Sequence, residues 1–266
     1  MKKLAVIGKD VSKSLSPQIH KFIAKHMGNR LEYESISIAE AEFEKVAQNL
    51  FKEYDGFNVT IPYKLSIIPY LKNIEGDAKA FGAVNTVRVN DMSGHNTDGL
   101  GFMLMLKNNG VDIAGKEVLL LGAGGAGRSV AKKLADGGAH VAVYDTRLES
   151  AKNIEREFEG VTAIEKIENR AYDVIINATG IGMHKTEGIS PIGEEVISRC
   201  EVAVDLIYTP KKSAFLRLAE NKGKMIINGE AMLFYQAYYA QCIFFERCAD
   251  EKQAKELFNK FTEEAK

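Results

Sequence analysis

The sequence has few cysteines and no excess of charge of one sign, and both shortages exclude classes of function. Its three cysteines, Cys200, Cys242 and Cys248, are an odd number and none stands in a Cys-x-x-Cys pair, so neither a disulfide framework nor a zinc site is supported. Lysine and arginine total 35 against 36 for aspartate and glutamate, and the net charge is -1. Without a basic run, the chain offers no complementary face to nucleic acid or to an acidic membrane surface.

Long apolar runs are also missing. The first residues, MKKLAVIGKD, include two lysines, but the apolar run that follows covers only positions 4–7 and is too short for the core of a signal peptide. No later stretch approaches the length of a membrane span. With 266 residues, 45% of them hydrophobic, the chain can form one large or two ordinary globular domains. We therefore expect a cytoplasmic globular protein.

Strand-like and helix-like runs alternate along the chain, which is typical of an α/β protein. The first hundred residues contain strand-like runs at 3–8, 31–37, 56–59 and 84–89 and helix-like runs at 16–27 and 39–51. A helix-like run at 97–108 leads to a second series, with strands at 117–121, 140–144, 172–176, 202–206 and 224–227 and helices at 126–136, 148–158 and 213–221. Two helix-like segments, 231–248 and 252–261, come last.

The clearest motif lies in VLLLGAGGAGRS, where Gly122, Gly124 and Gly127 have G-x-G-x-x-G spacing. A strand-like run precedes it, a helix-like run follows it, and Asp145 stands 23 residues after Gly122 at the end of the next strand. In dinucleotide folds such glycines permit a tight turn, close approach to the pyrophosphate and close helix packing, while the helix amino terminus binds the phosphates. This context favours a dinucleotide-binding domain over a glycine-rich turn of another α/β fold.

Four polar clusters in the first half place neutral hydrogen-bonding side chains beside turn-forming residues. They are SKSLSP (12–17), NVTIPYK (58–64), GAVNTV (82–87) and GHNTDGLGF (94–102). Such side chains suit a small polyhydroxylated substrate with one carboxylate. Taken singly, each cluster has a simpler explanation: Ser14 or Ser16 could cap the next helix, and the Asn-Thr pairs could be turn residues. Lys64 and Asp98 could be solvated charges.

Read in order along the chain, six motifs resemble those of the shikimate dehydrogenase family. They are S-x-S-x-S-P from Ser12, N-V-T-x-P-x-K from Asn58, G-A-V-N-T from Gly82, N-T-D-G-x-G from Asn96, G-A-G-G-A from Gly122 and N-A-T-x-x-G-M from Asn177. The resemblance implies an enzyme of chorismate and aromatic amino-acid biosynthesis that reversibly reduces 3-dehydroshikimate to shikimate with NAD(P)H. It implies an α/β fold with a substrate-binding domain (1–100), a Rossmann-type doubly wound dinucleotide-binding domain (101–228) and carboxy-terminal helices (229–266) that complete the first domain.

The resemblance assigns the catalytic roles to Lys64 and Asp98. Reduction of a ketone needs a proton at oxygen, and an ammonium can donate that proton while it offsets the developing alkoxide charge. In the reverse direction Lys64 must be neutral to act as base, and Asp98 holds the ammonium in place once it forms. The positions that match substrate binding in the family are Ser14, Ser16, Asn58, Thr60, Lys64, Asn85, Asp98, Tyr208 and Gln236.

The two serines match the residues that hold the substrate carboxylate, and Asn58, Thr60 and Lys64 are expected to project from the end of one strand. The positions that match cofactor binding are Gly122, Ala123, Gly124, Gly125, Ala126, Gly127, Asp145, Thr146, Arg147, Asn177, Ala178, Thr179, Leu206 and Gly229. We expect no metal and no nucleic-acid or membrane partner, a small-molecule substrate (shikimate or 3-dehydroshikimate), and a monomer or a homodimer.

The sequence departs from the family at the position that faces the cofactor ribose. The common pattern there is Asn-Arg-Thr, whose arginine binds the 2′-phosphate of NADP, whereas this chain has Asp145-Thr146-Arg147. A carboxylate suits the free ribose hydroxyls of NAD and repels a 2′-phosphate, but Arg147 could neutralise such a phosphate. We expect NAD to be used at least comparably to NADP, which as the family's usual cofactor stays an alternative.

Two other functions remain open at this stage. A quinate/shikimate dehydrogenase performs the same chemistry on a slightly different diol, and these residues do not separate the two. A non-catalytic nucleotide-binding paralogue is expected to lack Lys64 or Asp98, and both are present. A nonenzymatic interaction module accounts for none of the six motifs.

Overall fold

The computed structural model describes residues 1–264. The chain divides into two compact units: the first combines Met1–Gly101 with the segment that begins at Phe234, and the second is Phe102–Leu233. None of the helices in the described part is long and apolar enough to cross a membrane. The predicted domain limits, and the functions assigned to the three segments, stay predictions.

Residues 1–264 form twelve strands and ten α-helices. The strands are β1 (Lys2–Gly8), β2 (Leu31–Ser37), β3 (Gly56–Val59), β4 (Asn73–Ile74), β5 (Thr86–Arg88), β6 (Ser93–His95), β7 (Glu117–Leu121), β8 (His140–Tyr144), β9 (Val161–Ala163), β10 (Tyr172–Asn177), β11 (Cys200–Asp205) and β12 (Met225–Ile227). The helices are α1 (Ser16–Met27), α2 (Phe43–Glu53), α3 (Asp77–Phe81), α4 (Asp98–Asn108), α5 (Gly125–Asp136), α6 (Leu148–Glu157), α7 (Glu194–Ile197), α8 (Ala214–Asn221), α9 (Glu230–Phe244) and α10 (Glu251–Glu264).

The first unit is built on a mixed sheet with the strand order β2-β1-β3-β5-β6-β4. The central strand β1 is parallel to β2 and β3, whereas β5 pairs antiparallel with both β3 and β6. Residues 4–7 of β1 are buried, because one face of the strand packs in a core with α2 and the other in a core with α9. Burial on both faces explains why this run is continuously apolar instead of alternating.

The second unit has a six-stranded sheet in which every neighbouring pair is parallel, with the order β12-β11-β10-β7-β8-β9. Counted from its first strand, this is the 3-2-1-4-5-6 arrangement of doubly wound dinucleotide folds. Helices α5, α6 and α8 contact the strands. The predicted α/β class with a Rossmann-type second domain is confirmed.

The structure differs from the predicted elements mainly in the first unit. The strand predicted at 84–89 is the shorter β5, because the main-chain N–H of Val84 leaves the sheet and donates to the carbonyl of Lys64 at 2.9 Å. The helix predicted at 39–51 begins with a 3-10 turn at Glu40–Glu42, and α2 follows only at Phe43. The short strands β4, β6 and β9 were not predicted, since runs of two or three residues show no periodicity.

The turn between β7 and α5 depends on two of its glycines. Gly122 has a φ of 100°, a left-handed conformation that residues with a side chain rarely adopt. Gly127 packs so closely on this turn that a Cβ would overlap the carbonyl oxygen of Gly122. At Gly124 φ is -76° and a Cβ would meet no atom within 4 Å. The fold therefore requires the first and third glycines of the motif but not the second.

This difference between neighbouring glycines can be tested by two matched substitutions. Gly127→Ala should lower the free energy of unfolding by about 1–3 kcal/mol, because the added methyl group forces the α5 backbone away from the turn. Gly124→Ala should stay within about 0.5 kcal/mol of the wild type, since its small cost at the start of α5 opposes a small gain from the unfolded state. Urea titrations of both variants measure the difference, and equal stabilities would contradict it.

Candidate active site

The candidate active site lies at one edge of the sheet in the first unit. Strands β1, β3 and β6 end at this edge, and the antiparallel β5 begins there. Asn58 is the penultimate residue of β3, Asn85 immediately precedes β5, and Asp98 comes shortly after β6. The main-chain carbonyl of Asn85 accepts a hydrogen bond from the N–H of Val59 at 2.8 Å, and the main-chain N–H of Asn85 donates to the carbonyl of His95 at 3.0 Å. The ladder therefore stays in register up to the edge and fixes the backbone beside the site.

Lys64 lies in a turn after β3 and not on the strand itself. The preceding Tyr63 anchors this turn, because its ring stacks on Phe43 with 4.2 Å between ring centroids and its hydroxyl donates to the carbonyl of Ile38. The carbonyl of Lys64 in turn accepts the N–H of Val84. The backbone of the lysine is held from both sides, although the predicted strand ends five residues earlier.

Lys64 and Asp98 form an ion pair between Nζ and Oδ2, with side chains that are 15% and 11% exposed. The other carboxylate oxygen, Oδ1, accepts Nδ2 of Asn85 at 2.8 Å. The main-chain N–H of Asp98 donates to Oδ1 of Asn96 at 3.0 Å. Asp98 is also the first residue of α4, and the positive end of the helix dipole favours a negative charge there. Among the described residues Asp98 takes one of the three ammonium protons of Lys64, so the ammonium can also bind and protonate a ligand.

Thr97 and Gln236 belong to the same group. The main-chain N–H of Thr97 donates to Oδ1 of Asn85 at 2.9 Å, and because an N–H can only donate, this bond turns Nδ2 of Asn85 toward Asp98. Oγ1 of Thr97 lies 3.5 Å from Oε1 of Gln236 on α9. The structure thus brings together four predicted residues, Lys64, Asp98, Asn85 and Gln236, and adds Thr97.

Three other predicted residues lie near the same edge but apart from this group. Ser14 donates from Oγ to Oγ of Ser16 at 3.1 Å and accepts the N–H of Ser16 at 3.2 Å. The N-cap of α1 is Leu15, without a side-chain hydrogen bond, so neither serine serves as the cap. Thr60 follows β3 and donates its N–H to Ile7 at 2.9 Å. Among residues 1–264 none of the three hydrogen-bonds to the Lys64–Asp98 pair.

The side chain of Asn58 is turned toward the interior of the first unit. Only 6% of the residue is exposed. Its Oδ1 accepts the hydroxyl of Tyr33 at 2.8 Å, and its Nδ2 donates to the carbonyl of Asn85 at 3.2 Å and to Oγ1 of Thr86 at 3.0 Å. Both amide protons are used within the protein, so in this conformation Asn58 has no proton left for a ligand.

In the second unit, the carboxyl edge of the sheet carries the predicted dinucleotide residues. Gly124 and Gly125 are exposed at the amino terminus of α5. Asp145 follows β8, and its two oxygens accept the N–H groups of Ala123 and Arg147, each at 2.8 Å. The Arg147 side chain is 77% exposed, with Nε 3.8 Å from Oδ1 of Asp145, and Thr146 is exposed as well. One carboxylate therefore joins the glycine-rich turn to the segment predicted to face the ribose.

Asn177 and Asp205, at the ends of β10 and β11, form a buried network at the same edge. Nδ2 of Asn177 donates to Asp205 at 3.0 Å, and its Oδ1 accepts the N–H and hydroxyl of Thr179 at 3.0 and 2.6 Å. Asp205 also accepts the hydroxyl of Ser213 and the N–H of Ile207. Burial raises the pKa of the Asp205 carboxyl, and these three donors oppose the rise. The network holds the loops after both strands, including Ala178 and Thr179.

The loop after β11 carries Leu206 and Tyr208. Leu206 donates its N–H to the carbonyl of Asn177 at 2.9 Å. Gly229 packs against this loop so closely that a Cβ would overlap the carbonyl oxygen of Leu206, and its N–H donates to Ile207 at 3.1 Å. Close packing is thus one reason for the glycine at this position.

The sequence does not single out several residues that shape these edges. Thr97 and Thr86 stand inside quoted motifs, so their motifs could have indicated them. Tyr33, Asp205 and Ser213 carry no such signal, since a tyrosine in a strand and an aspartate after an apolar run are common. Among residues 1–264 no group of three or more His, Cys, Asp or Glu side chains could hold a metal ion.

Comparison with known proteins agrees with this geometry. The family described as shikimate dehydrogenase substrate binding domain matches residues 6–87, and the family described as shikimate / quinate 5-dehydrogenase matches residues 104–186. The shikimate dehydrogenase (NADP(+)) of Carboxydothermus hydrogenoformans is 37% identical over 248 residues, which cover 88% of each chain.

Two solved structures are similar over nearly the whole chain. Shikimate dehydrogenase 1 from Peptoclostridium difficile has a TM-score of 0.89 at 32% identity and covers 98% of each chain. Shikimate 5-dehydrogenase from Thermus thermophilus, in complex with NADP(H) and shikimate, has a TM-score of 0.87 at 32% identity, with 98% of this chain and 99% of that chain covered. With its motifs, both its sheets and its sequence in agreement, the chain belongs to the shikimate dehydrogenase family.

Proposed function

We propose that this protein reversibly reduces the ketone of 3-dehydroshikimate to the alcohol of shikimate, with a nicotinamide dinucleotide as the electron donor. The observation that carries the proposal is the Lys64–Asp98 ion pair, fixed by Asn85 at the carboxyl edge of the first sheet in a member of the shikimate dehydrogenase family. The reaction belongs to the route to chorismate and the aromatic amino acids.

Lys64 transfers the proton in this proposal. When the ketone is reduced, the ammonium donates a proton to the new alkoxide, and when shikimate is oxidised the neutral amine removes it. Asp98 orients the ammonium and accepts a hydrogen bond from a substrate hydroxyl. Asn85 keeps the carboxylate in place and prevents it from turning away from the lysine. Arginine could not replace the lysine, because its guanidinium does not release a proton in proteins.

The first unit binds the substrate in this proposal, and the second binds the dinucleotide. The hydroxyls of Ser14 and Ser16, which lie 3.1 Å apart, hold the substrate carboxylate. Thr60 binds a ring hydroxyl of the substrate. Gln236, whose Oε1 lies 3.5 Å from Oγ1 of Thr97, also binds the substrate. A role of Tyr208 in substrate binding stays a prediction. We also infer a cytoplasmic enzyme, since buried Cys200 and Cys242 are free thiols and suit a reducing compartment.

The residues of the second unit fit a dinucleotide. Gly124 and Gly125 are exposed at the start of α5, and a Cβ at Gly124 would point into open space, so a pyrophosphate can approach the helix N–H groups closely. Residues 177–179 lie at the end of β10, and Leu206 follows the end of β11. Gly229 packs against the loop that carries Leu206. Sheets of this kind bind ligands at the carboxyl ends of their strands. When bound, the nicotinamide supplies the hydride that reaches the carbonyl carbon.

The function is tested with purified protein by following the absorbance of NADH and NADPH with 3-dehydroshikimate, shikimate and quinate. Rapid turnover of shikimate with slower turnover of quinate is the expected result. Equal rates would instead identify a quinate/shikimate dehydrogenase. No turnover of any of the three compounds would contradict the proposal and favour a non-catalytic paralogue that binds nucleotides.

The role of Lys64 predicts a loss of turnover without a loss of cofactor binding. Lys64→Ala should lower kcat by about 10²- to 10⁴-fold, the usual range for a positioned acid or base, and leave the KM for the dinucleotide unchanged. Lys116→Ala is the matched control, because Lys116 also pairs with an aspartate, Asp173, at 2.9 Å, but lies before β7 in the second unit. A Lys64→Ala enzyme within about threefold of wild-type turnover would contradict the assignment.

For the cofactor, we propose that NAD is used at least comparably to NADP. Support comes from the Asp145 carboxylate, which stands at the end of β8 beside the glycine-rich turn, where a ribose with free hydroxyls is bound in NAD-dependent folds. Asp145→Asn should raise kcat/KM for NADP relative to NAD by about tenfold, equivalent to ~1.4 kcal/mol, because it removes a charge that repels the 2′-phosphate.

Steady-state kinetics with both dinucleotides measure this ratio. Glu149→Gln is the control, since it removes one negative charge from the first turn of α6, where Glu149 is exposed and paired with Arg156; it should leave the ratio unchanged. A native preference for NADP of about a hundredfold, unchanged in Asp145→Asn, would show that Arg147 binds the 2′-phosphate.

A further inference from the structure

Tyr33 on β2 reaches across the central strand of the first sheet toward the site. It pairs with Leu4 of β1, which in turn pairs with Gly56 of β3. Asn58 is two residues beyond Gly56 and thus on the same face of the sheet. The phenol extends across β1 and donates its hydroxyl to Oδ1 of Asn58 at 2.8 Å. The tyrosine itself is 3% exposed.

Tyr33 and Asn85 hold the two ends of the Asn58 amide. The carbonyl of Asn85 can only accept, so Nδ2 faces β5, where it donates to this carbonyl and to Oγ1 of Thr86. The hydroxyl of Tyr33 then donates to Oδ1 on the other side and restrains the amide there. The Thr86 hydroxyl, having accepted the bond from Nδ2, donates to Oδ1 of Asn85 at 2.9 Å. Asn58 therefore restrains Asn85 at two points, its carbonyl directly and its side chain through Thr86.

A buried histidine immobilises the start of this chain of hydrogen bonds. The His20 ring on α1 stacks on Tyr33, with 4.3 Å between ring centroids and 12° between planes. Neither ring nitrogen has a hydrogen-bond partner among residues 1–264, and burial lowers the pKa of His20 to about 3. At neutral pH the ring is thus an uncharged flat surface, and its contact with Tyr33 is one of packing.

We propose that Tyr33 and Asn58 are positioning residues, which act through Thr86 and Asn85 to keep the Asn85 amide on Asp98. Asn58 then serves the reaction without touching the substrate, in contrast to the role that the family resemblance gives it. All of its hydrogen-bonding protons are used inside the protein, and the bonds lead in one direction, from Tyr33 to the carboxylate that orients Lys64. The kinetic part of the test rests on the proposed dehydrogenase function.

The decisive variant is Tyr33→Phe, which removes one hydroxyl and keeps the ring that stacks on His20. Its kcat with shikimate should fall by about tenfold, because a misplaced orienting group lowers the population of the productive geometry. The KM values for shikimate and for the dinucleotide should change by less than about twofold, since Tyr33 is only 3% exposed and its hydroxyl bonds to Asn58 inside the protein. Tyr54→Phe is the matched control: its hydroxyl donates to Glu34 at the surface, and kcat should stay unchanged.

A second pair of variants tests the connection through Thr86. Thr86→Val keeps the shape but removes the hydroxyl between Asn58 and Asn85, and should reproduce the loss of kcat seen in Tyr33→Phe. Thr86→Ser restores a hydroxyl and should recover most of that loss. If Thr86→Ser is as slow as Thr86→Val, or if Tyr54→Phe loses as much activity as Tyr33→Phe, the effect is general destabilisation and the proposal is overturned.

A readout that does not depend on activity separates this proposal from the proposed function. Crystal structures of the wild type and of Tyr33→Phe should differ in the Asn85 side chain, with its hydrogen bond to Asp98 lengthened or lost in the variant. An unmoved Asn85 amide together with unchanged kcat overturns the proposal. Wild-type protein that fails to oxidise shikimate contradicts the proposed function alone, and the position of the Asn85 amide then decides whether Tyr33 holds it.

Discussion

The ion pair of Lys64 and Asp98 places the strongest demand on the structure of the first unit. Both side chains are largely removed from water, and the loss of hydration of two charges offsets most of their attraction unless further hydrogen bonds satisfy them. Asn85 supplies such a bond to the carboxylate, and the amino terminus of α4, where Asp98 is the first residue, favours its negative charge. A pair built in this way adds little to stability, because the loss of hydration offsets most of its attraction. The chemistry of the site is a better explanation for its presence.

Lys116 and Asp173 form an ion pair in the second unit that is more exposed than the Lys64–Asp98 pair. The Lys116–Asp173 pair, at 2.9 Å, leaves 40% and 26% of its side chains exposed, and the partners raise the pKa of the lysine and lower that of the aspartate. Exposed pairs of this kind contribute little to stability, because water screens their attraction. Neither pair accounts for the fold. An amide orients each carboxylate, the side chain of Asn85 at Asp98 and the main-chain N–H of Glu117 at Asp173. The Lys64–Asp98 pair differs in its burial, and burial strengthens the interaction of its charges with a ligand.

The sequence predicts the second unit better than the first, for a physical reason. Its strands are buried on both faces and its glycines are fixed by the backbone, as Gly122 and Gly127 illustrate, so local patterns carry most of the information. In the first unit, the site depends on β5, which is shorter than the predicted run 84–89, and on β6, a strand of three residues that no periodicity reveals. The six motifs indicate the residues that meet at the edge, but not which way each side chain turns.

Asn58, Asn85 and Asn177 show this limit, because all three are motif asparagines beside strand ends. Asn85 holds the carboxylate of the ion pair, whereas Asn58 and Asn177 turn inward and tie neighbouring segments together. Which role an asparagine takes is decided by cross-strand neighbours such as Tyr33 and Asp205. These partners are 25 and 28 residues away in the chain, so no local pattern can identify them.

Asp145 has two roles, of which the sequence indicates only the one toward the cofactor ribose. Its carboxylate has about four lone-pair positions, and the N–H groups of Ala123 and Arg147 occupy two of them. The remaining positions can accept two ribose hydroxyls without any rearrangement, since the backbone already orients the group. A 2′-phosphate meets the opposite situation: it has to approach this fixed charge and order the exposed Arg147 side chain, at about 0.5–1.5 kcal/mol for a flexible side chain. The same bonds that stabilise the glycine-rich turn therefore support the proposal that NAD is used at least comparably to NADP.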